Sequence, residues 1–561
     1  MPMELLALLV PGVAFVSAML THLLGPALGR RVARLSVGFT LLVFLAAAAL
    51  LVLALMGEPR QAISLGESWG IILFDPLSSL MGVVIAGISL IVHIYSVRYM
   101  AEEAGYPRFF VLLDLMTGVL LLMVAAGDLL TLLIAWHLVG VLLYFLLGHD
   151  TRSHSAFRYG AWTFIVYRLG DVPLVLAAAV LFHTYGTWSL PQIFEQLAAR
   201  PDAVTFFDLP VAEVVGALVA LAAFARSAQF LLHTWLPYTM EGPTPVSALM
   251  HAGIVNSGGF LINRFAPLYI ETGDVLHWVF IVGLVTAVIG SVLMLAQNDV
   301  KKSLGYSTMG QMGFMIMECG VGAFSLAIFH LIAHGLFKGT MFLSAGGIIG
   351  EARRDDGVPK DDLYTFVVER EAPKVQQPLL MMVAITLVIP VLVLVLTHWW
   401  VEPDLYQRQG AIILLFFGWV TGAQLLFSTY HMKSANPWRL LGLILVSFVV
   451  VVVGYTLISH AFDLFLYNDD DYAARLYEAA GIDIVWFDAL VVLTTVVVVL
   501  GWVRAYRVEK LASRIDRQPR NWWMNFYSLI AREFYIIDFY SGMSRRLVAA
   551  SARLNVWFRW G

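Results

Sequence analysis

His330, His334 and Lys338 stand four residues apart in the run Phe329-His330-Leu331-Ile332-Ala333-His334-Gly335-Leu336-Phe337-Lys338, inside a segment otherwise apolar enough to cross a bilayer. On an α-helix this spacing places all three on one face, with neighbours roughly 5–6 Å apart at Cβ. Ionisable groups at membrane depth are costly and mark ion or proton pathways. The chemistry such a stripe supports is water-assisted proton exchange along the helix. A lone intramembrane histidine is read differently, and His93 and His183 are expected as helix-end groups at the membrane interface.

The rest of the chain must hold that stripe in a membrane. Hydrophobic residues make up 60% of 561 and charged residues only 13%, with a mean hydropathy of +0.80. Soluble domains carry about 25% charged residues, so the composition is that of a polytopic membrane protein. Lys and Arg number 35 against 39 Asp and Glu, for a net charge of −4, and no global field points to nucleic acid. The single cysteine, Cys319, cannot form an internal disulfide. Zinc, haem and iron–sulfur spacings are missing from the sequence, so no cofactor is expected in this chain. Glu4 precedes the first apolar run and Gly25-Pro26 follow it without a small-residue cleavage pattern, so this run reads as a retained first helix.

Apolar stretches long enough to span about 30 Å fall near 3–24, 35–56, 76–97, 109–126, 128–147, 161–183, 211–233, 244–265, 275–296, 303–319, 323–347, 377–397, 411–429, 438–459 and 484–504, about fifteen helices. Arg30, Arg31, Arg34, Arg98, Arg108, Arg152 and Arg158 lie in the first, third and fifth connections, against Arg60 and Arg200 in the second, fourth and sixth. By the positive-inside rule the N-terminus faces outside and the C-terminus the cytoplasm. Lys301, Lys302, Arg353, Arg354, Lys360 and Lys433 then fall on the cytoplasmic side, and Asp463, Asp469, Asp470 and Asp471 outside. The mixed charges of 348–376 suit either a surface that meets a partner or a solvated loop. The tail interleaves Arg with Trp and Tyr, as in Arg532-Glu533-Phe534-Tyr535 and Trp557-Phe558-Arg559-Trp560, which fits amphipathic helices in the headgroup layer. The expected organisation is N-terminal helices over 1–108, a translocation core over 109–430, C-terminal helices over 431–504 and a cytoplasmic amphipathic tail over 505–561.

Residues 232–246, Leu232-His233-Thr234-Trp235-Leu236-Pro237-Tyr238-Thr239-Met240-Glu241-Gly242-Pro243-Thr244-Pro245-Val246, set three prolines and a glycine between two apolar helices. Proline removes backbone hydrogen bonds, and broken backbone at depth survives only under cover of protein or water. Either a discontinuous helix flanking a transport site or a short surface loop fits. Asp114 and Glu318 are unusual acids that either line the pathway or neutralise a nearby arginine.

Several strings carry a family resemblance. Ala225-Arg226-Ser227-Ala228-Gln229, His233-Thr234-Trp235-Leu236-Pro237, residues 240–251, Gln297-Asn298-Asp299-Val300-Lys301-Lys302-Ser303-Leu304-Gly305-Tyr306-Ser307-Thr308 and the His-His-Lys helix resemble the antiporter-like, proton-translocating subunits of respiratory complex I and the Mrp antiporters, over roughly 70–350. The resemblance implies an all-α fold of two inverted five-helix bundles, each with a broken helix, joined by a hydrated polar axis. It places His251, His330, His334, Lys338, Arg168 and Asp171 on that axis, with Glu241 in the matched broken segment. Independently, Arg168 and Asp171 are i, i+3, and pairing is the cheapest way to hold either charge at depth.

The departures are as informative. Complex I subunits carry Trp-Glu-x-x-Gly and Lys-Ser-Ala-Gln where this chain has Trp136-His137-Leu138-Val139-Gly140 and Arg226-Ser227-Ala228-Gln229. Arginine is effectively always protonated, whereas histidine can titrate. Arg226 is therefore expected as a fixed charge paired with Asp171, and His137 as the gate for proton exchange. The exit lysine of the complex I L subunit has no counterpart in 378–397, and no long lateral helix followed by a further span comes after 504. An antiporter-like core with a rewritten ion pair and an early stop is most similar to the membrane subunits of energy-coupled inorganic carbon pumps, the DabB family. That resemblance implies a bacterial inner-membrane subunit without a catalytic site of its own. It implies that H+ or Na+ runs down its gradient through the chain to drive a peripheral DabA-like partner on the cytoplasmic side, which holds zinc in a carbonic-anhydrase-like site. A pumping subunit of a complex I-like or hydrogenase-linked redox assembly and an Mrp-type cation/proton antiporter remain open.

Overall fold

The computed structural model describes residues 3–352 except 67, 68, 298 and 299, residues 457–481 except 459, 468 and 469, and residues 525–558 except 526 and 527. Eight stretches among these are long and apolar enough to cross a membrane. The first, Met3–Leu55, is divided by a 3₁₀ turn at Gly29–Arg31 into α1 (Met3–Leu28) and α2 (Val32–Leu55). The expected spans at 377–397, 411–429, 438–459 and 484–504 lie almost wholly outside the described residues.

Polar caps set where the helices begin. Asp75 opens α3 (Pro76–Tyr99), accepting from the Ser78 N–H at 2.7 Å while its own N–H donates to Ser78 Oγ at 3.0 Å, with Pro76 in the first turn. α4 (Tyr106–Ala125) follows, and Asp128 caps α5 (Leu129–Leu147) through the Thr131 N–H at 2.8 Å. Asp128 also accepts from the Ile71 N–H at 2.7 Å, tying α5 to an antiparallel hairpin of β1 (Gln61–Ser64) and β2 (Ile71–Phe74). This hairpin is a small exception to the expected all-helical chain. Ser153 caps α6 (His154–Tyr185), whose interior Pro173 deprives the Leu169 carbonyl of its helical donor beside Arg168 and Asp171.

The next two spans are broken. α7 (Leu190–Ala199) is a short helix within a connection read as loop, and α8 (Val211–Arg226) stops seven residues before the expected end of its span. The break begins upstream of the prolines: Ala228 and Leu231 adopt positive φ of 48° and 73°, a strained conformation for residues other than glycine. A 3₁₀ turn at Leu236–Glu241 leads into α9 (Thr244–Ala252), and a second 3₁₀ turn at Ile254–Asn256 separates it from α10 (Ser257–Arg264). The expected continuous span over 244–265 is thus interrupted just after His251.

After α11 (Ala266–Tyr269) come the long helices α12 (Gly273–Leu295), α13 (Val300–Gly320) and α14 (Phe324–Ala352). α12 and α13 meet through glycines: a Cβ on Gly313 would stand 2.3 Å from the Ala287 nitrogen, and one on Gly290 2.5 Å from the Gly310 nitrogen. Such backbone contact is how membrane helices pack closely. Gly313→Leu should force the pair apart and lower the yield of monodisperse, detergent-extracted protein several-fold, and an unchanged yield would show that the contact is dispensable. α15 (Asp470–Ala480), a 3₁₀ turn at Glu533–Tyr535 and α16 (Ile536–Phe558) follow. α16, in the predicted amphipathic tail, touches the break in α8, the Tyr540 hydroxyl donating to the Leu231 carbonyl at 2.9 Å.

Candidate ion pathway

Two polar clusters flank the break. In the first, α6 presents Asp171 with its Oδ2 3.0 Å from Arg168 Nη2 and 3.1 Å from His137 Nδ1, and its Oδ1 3.6 Å from Arg226 Nη2. Two guanidiniums against one carboxylate leave an excess positive charge. Part of it rests on aromatic faces: the Arg226 guanidinium lies 4.4 Å from the Trp136 ring centroid and 4.1 Å from that of Tyr167. Arg226 is buried and donates to the Trp136 carbonyl at 2.6 Å.

His137 is contested. Arg168 Nη1 approaches both its ring nitrogens, meeting Nε2 at 3.0 Å, while Asp171 faces Nδ1. Arginine only donates and a carboxylate only accepts, so Nδ1 serves Arg168 when bare and Asp171 when protonated.

The second cluster lies between α9, α13 and α14. Lys338 Nζ donates to Ser307 Oγ at 2.8 Å and contacts the Leu304 carbonyl at 3.5 Å. Among the described residues no carboxylate lies within ion-pair distance of it. His251 stacks on Phe342, ring centroids 4.3 Å apart, with Nδ1 3.1 Å from Thr308 Oγ1. His334 sits within electrostatic reach of His330, Lys338 and His251, and its ring centroid is 6.3 Å from that of His330. Glu318 closes the line, its two oxygens 3.1 and 3.0 Å from His330 Nδ1, while Gln311 Oε1 lies 2.9 Å from Nε2. Oxygen acceptors on both ring nitrogens suit an imidazolium.

Both ring nitrogens of His334 and Nε2 of His251 are buried without a hydrogen-bond partner among the described residues. Buried polar atoms left this way are the groups that ordered water satisfies. His233 stands between the clusters, in the break, stacked on Phe230 and 6.4 Å from the Tyr306 ring, with Nδ1 likewise unpartnered. At the end of α13 bearing Glu318, a cavity of about 500 Å³ is lined by Arg60, Asp75, Asn263, Arg264, Tyr467 and Tyr472 among others. Asn263 Nδ2 is 3.8 Å from Cys319 Sγ, which puts the cavity wall one residue from Glu318.

The structure thus brings His137, Arg168, Asp171 and Arg226 together, and separately His251, His330, His334, Lys338 and Glu318. His233, Ser307, Thr308 and Gln311 were not singled out from sequence as site residues. Their signal was faint: polar residues inside apolar spans, visible only as part of longer strings. The side chain of Glu241 lies outside the described residues. Two expectations need correction. His93 is no interfacial group: it is wholly buried, with Nε2 3.1 Å from Asp114 Oδ1. Asp114 neutralises no arginine among the described residues, and it lies with His93 apart from both clusters. His183, by contrast, is exposed near the end of α6.

Known proteins fit this architecture. The family described as NADH:quinone oxidoreductase/Mrp antiporter, TM matches residues 126–360, and the complex I chain 5 N-terminus family matches 67–110. Among solved structures, the Mrp complex from Dietzia sp. DQ12-45-1b superposes with a TM-score of 0.57 at 22% identity, covering 99% of this chain and 60% of that one. The archaeal membrane-bound sulfane sulfur reductase gives 0.56 at 17% identity, covering 89% and 96%. NADH-quinone oxidoreductase subunit L of Rickettsia felis is 37% identical over 53% of this chain and 46% of its own length. A Halothiobacillus neapolitanus protein named "Probable inorganic carbon transporter subunit DabB1" is 58% identical over 554 residues, 98% of this chain and 99% of that one. With near-complete coverage of both chains at that identity, on an antiporter-like fold, this multi-pass membrane protein belongs to the DabB family.

Proposed function

We propose that this chain is the membrane subunit of an energy-coupled inorganic carbon accumulation complex in the bacterial inner membrane, N-terminus outside and C-terminus cytoplasmic. H+ or Na+ runs down its gradient through the two clusters and the break between them. The work drives a peripheral DabA-like partner on the cytoplasmic side, whose carbonic-anhydrase-like zinc site performs the hydration. One charge crossing 100 mV releases about 2.3 kcal/mol, enough to bias hydration if transit is coupled to proton removal.

The observation that carries this reading is the end-to-end identity with the Halothiobacillus chain. What supports an ion path is a file of ionisable side chains with acids, Asp171 and Glu318, in its two clusters. Redox-complex and antiporter readings are the alternatives, and the subunit L relative shares only 53% of this chain. The test is uptake of labelled inorganic carbon in carbonic-anhydrase-deficient cells expressing the chain with its genomic neighbour. Uptake that requires both genes and collapses with a protonophore or sodium ionophore supports the reading; uptake indifferent to every ion gradient contradicts it.

His137 gates exchange at the first cluster. His137→Gln keeps hydrogen bonding but cannot take up a proton, so uptake should fall and its response to pH should change. A full rate with an unchanged pH profile would remove His137 from the path.

A further inference from the structure

Near its far end the chain returns to the break. Residues 533–540 join the 3₁₀ turn at Glu533–Tyr535 to the first turn of α16, and they touch elements that carry both clusters. At one end the carboxylate of Glu533, a residue 5% exposed, lies 4.0 Å from Lys302 Nζ in the first turn of α13. Ser307 and Thr308, which bond to Lys338 and His251, follow Lys302 on that helix within two turns. At the other end the Tyr540 ring, whose hydroxyl donates to the Leu231 carbonyl at 2.9 Å, stands 5.9 Å from the ring of Trp162 on α6. Trp162 Nε1 donates in turn to Thr234 Oγ1 at 3.2 Å. The break is thus held on both sides of His233, at Leu231 and at Thr234.

Both ends of this bridge carry strained backbone. Glu533, Phe534 and Tyr535 have φ of 57°, 55° and 57°, three left-handed residues in succession with no glycine among them, and the break has its own pair at Ala228 and Leu231. Such conformations persist only where the surroundings hold them, and they gather at switches. The turn is held by Ile530, which is buried, by Phe534 packed on the core, and by the Glu533 contact. The Leu231 carbonyl lies past the end of α8 and outside its helical hydrogen bonds. The hydroxyl that satisfies it comes from 309 residues further along the chain. Phe539 and Met543 on α16 stay 68% and 42% exposed, so they do not attach the helix to the body of the protein.

We infer that residues 533–540 form a brace that sets the conformation of the break and ties it to α13, with Tyr540 and Glu533 as positioning residues for ion transit. Arg226 lies five residues before Leu231 and His233 two after it. A displacement of the brace therefore moves the backbone beside the first cluster together with the helix that holds the partners of Lys338. The brace rests on the ion-path part of the proposed function and on nothing about what transit drives.

Amide hydrogen exchange over 227–236 in the purified full-length chain, together with H+ and Na+ flux through the liposome-reconstituted complex, tests it. The break's amides report its opening, among them Phe230 on Thr286 Oγ1 and Leu232 on the Gln229 carbonyl. Tyr540→Phe removes one hydroxyl and keeps the ring against Trp162. Exchange in the break should quicken and flux should fall, each roughly tenfold, the scale of one hydrogen bond, while exchange in α12 keeps its wild-type rate. Glu533→Gln, which cuts the other end, should produce the same two changes. Arg545→Ala, exposed on α16, should produce neither. Unchanged exchange in Tyr540→Phe, faster exchange with wild-type flux, or changes in only one of the two variants would overturn the brace. A wild-type complex that passes neither ion contradicts the path rather than the brace, which the exchange results then support or overturn alone.

Discussion

Lys338→Ala abolishes gradient-driven inorganic carbon uptake, with an expected fall of about 100-fold or more, the scale on which positioned proton-transfer groups act. The reasoning is geometric. Lys338 is the member of the His330–His334–Lys338 stripe nearest the break, and its ammonium is held by one hydroxyl and one carbonyl, with no counter-ion among the described residues to lock it. It stands within electrostatic reach of both His251 and His334. Removing it cuts the file between the break and Glu318. Lys338→Arg separates a mobile proton from a mere positive charge. Arginine keeps the charge but does not give up its proton, so it should leave the protein folded and uptake at the alanine level. Normal uptake in Lys338→Arg would reduce Lys338 to a fixed charge.

The second large effect falls on Asp171. Asp171→Asn leaves Arg168 and the fully enclosed Arg226 without the carboxylate they share. Breaking a buried pair by deleting one partner costs about 3–5 kcal/mol. The purified variant should therefore unfold at a clearly lower temperature, and transport should be lost because His137 no longer has a carboxylate to meet. Adding Arg226→Met to Asp171→Asn removes the stranded charge and should recover much of the thermal stability without restoring transport. Had Asp171 served only the fold, transport would return with the stability; the double variant distinguishes the two.

The parts of this site that a single helix carries were legible in the sequence. His330, His334 and Lys338 share one face because helical spacing requires it, and Arg168 and Asp171 meet for the same reason. What depends on tertiary packing was not legible. His93 looked like an interfacial group because its partner Asp114, and the Ser17, Thr21 and Ser36 hydroxyls that donate to that carboxylate, are spread over three other helices, with separations of up to 97 residues between them. The break in α8 was placed too late because prolines signal broken helices in sequence, whereas the chain bends first at Ala228 and Leu231, residue types that seldom adopt positive φ. The interruption after His251 likewise has no proline at its position; the 3₁₀ turn at Ile254–Asn256 is stabilised by neighbours, with Asn256 Nδ2 donating to the Ala252 and Leu331 carbonyls at 2.8 and 3.3 Å. Glu318 stayed ambiguous until α13 and α14 were seen to set it against His330.

In the proposed function, ions cross the membrane through this chain along the file from Asp171 to Glu318. The most direct measurement reconstitutes the purified complex of this chain and its partner into liposomes containing a pH-sensitive dye. A pH gradient or a Na+ gradient is then imposed, and ion flux in the wild type is compared with that in Lys338→Ala. Flux through the wild type in response to one of the gradients, and loss of that flux in the variant, is the expected result. Equal flux in the two proteins would contradict it.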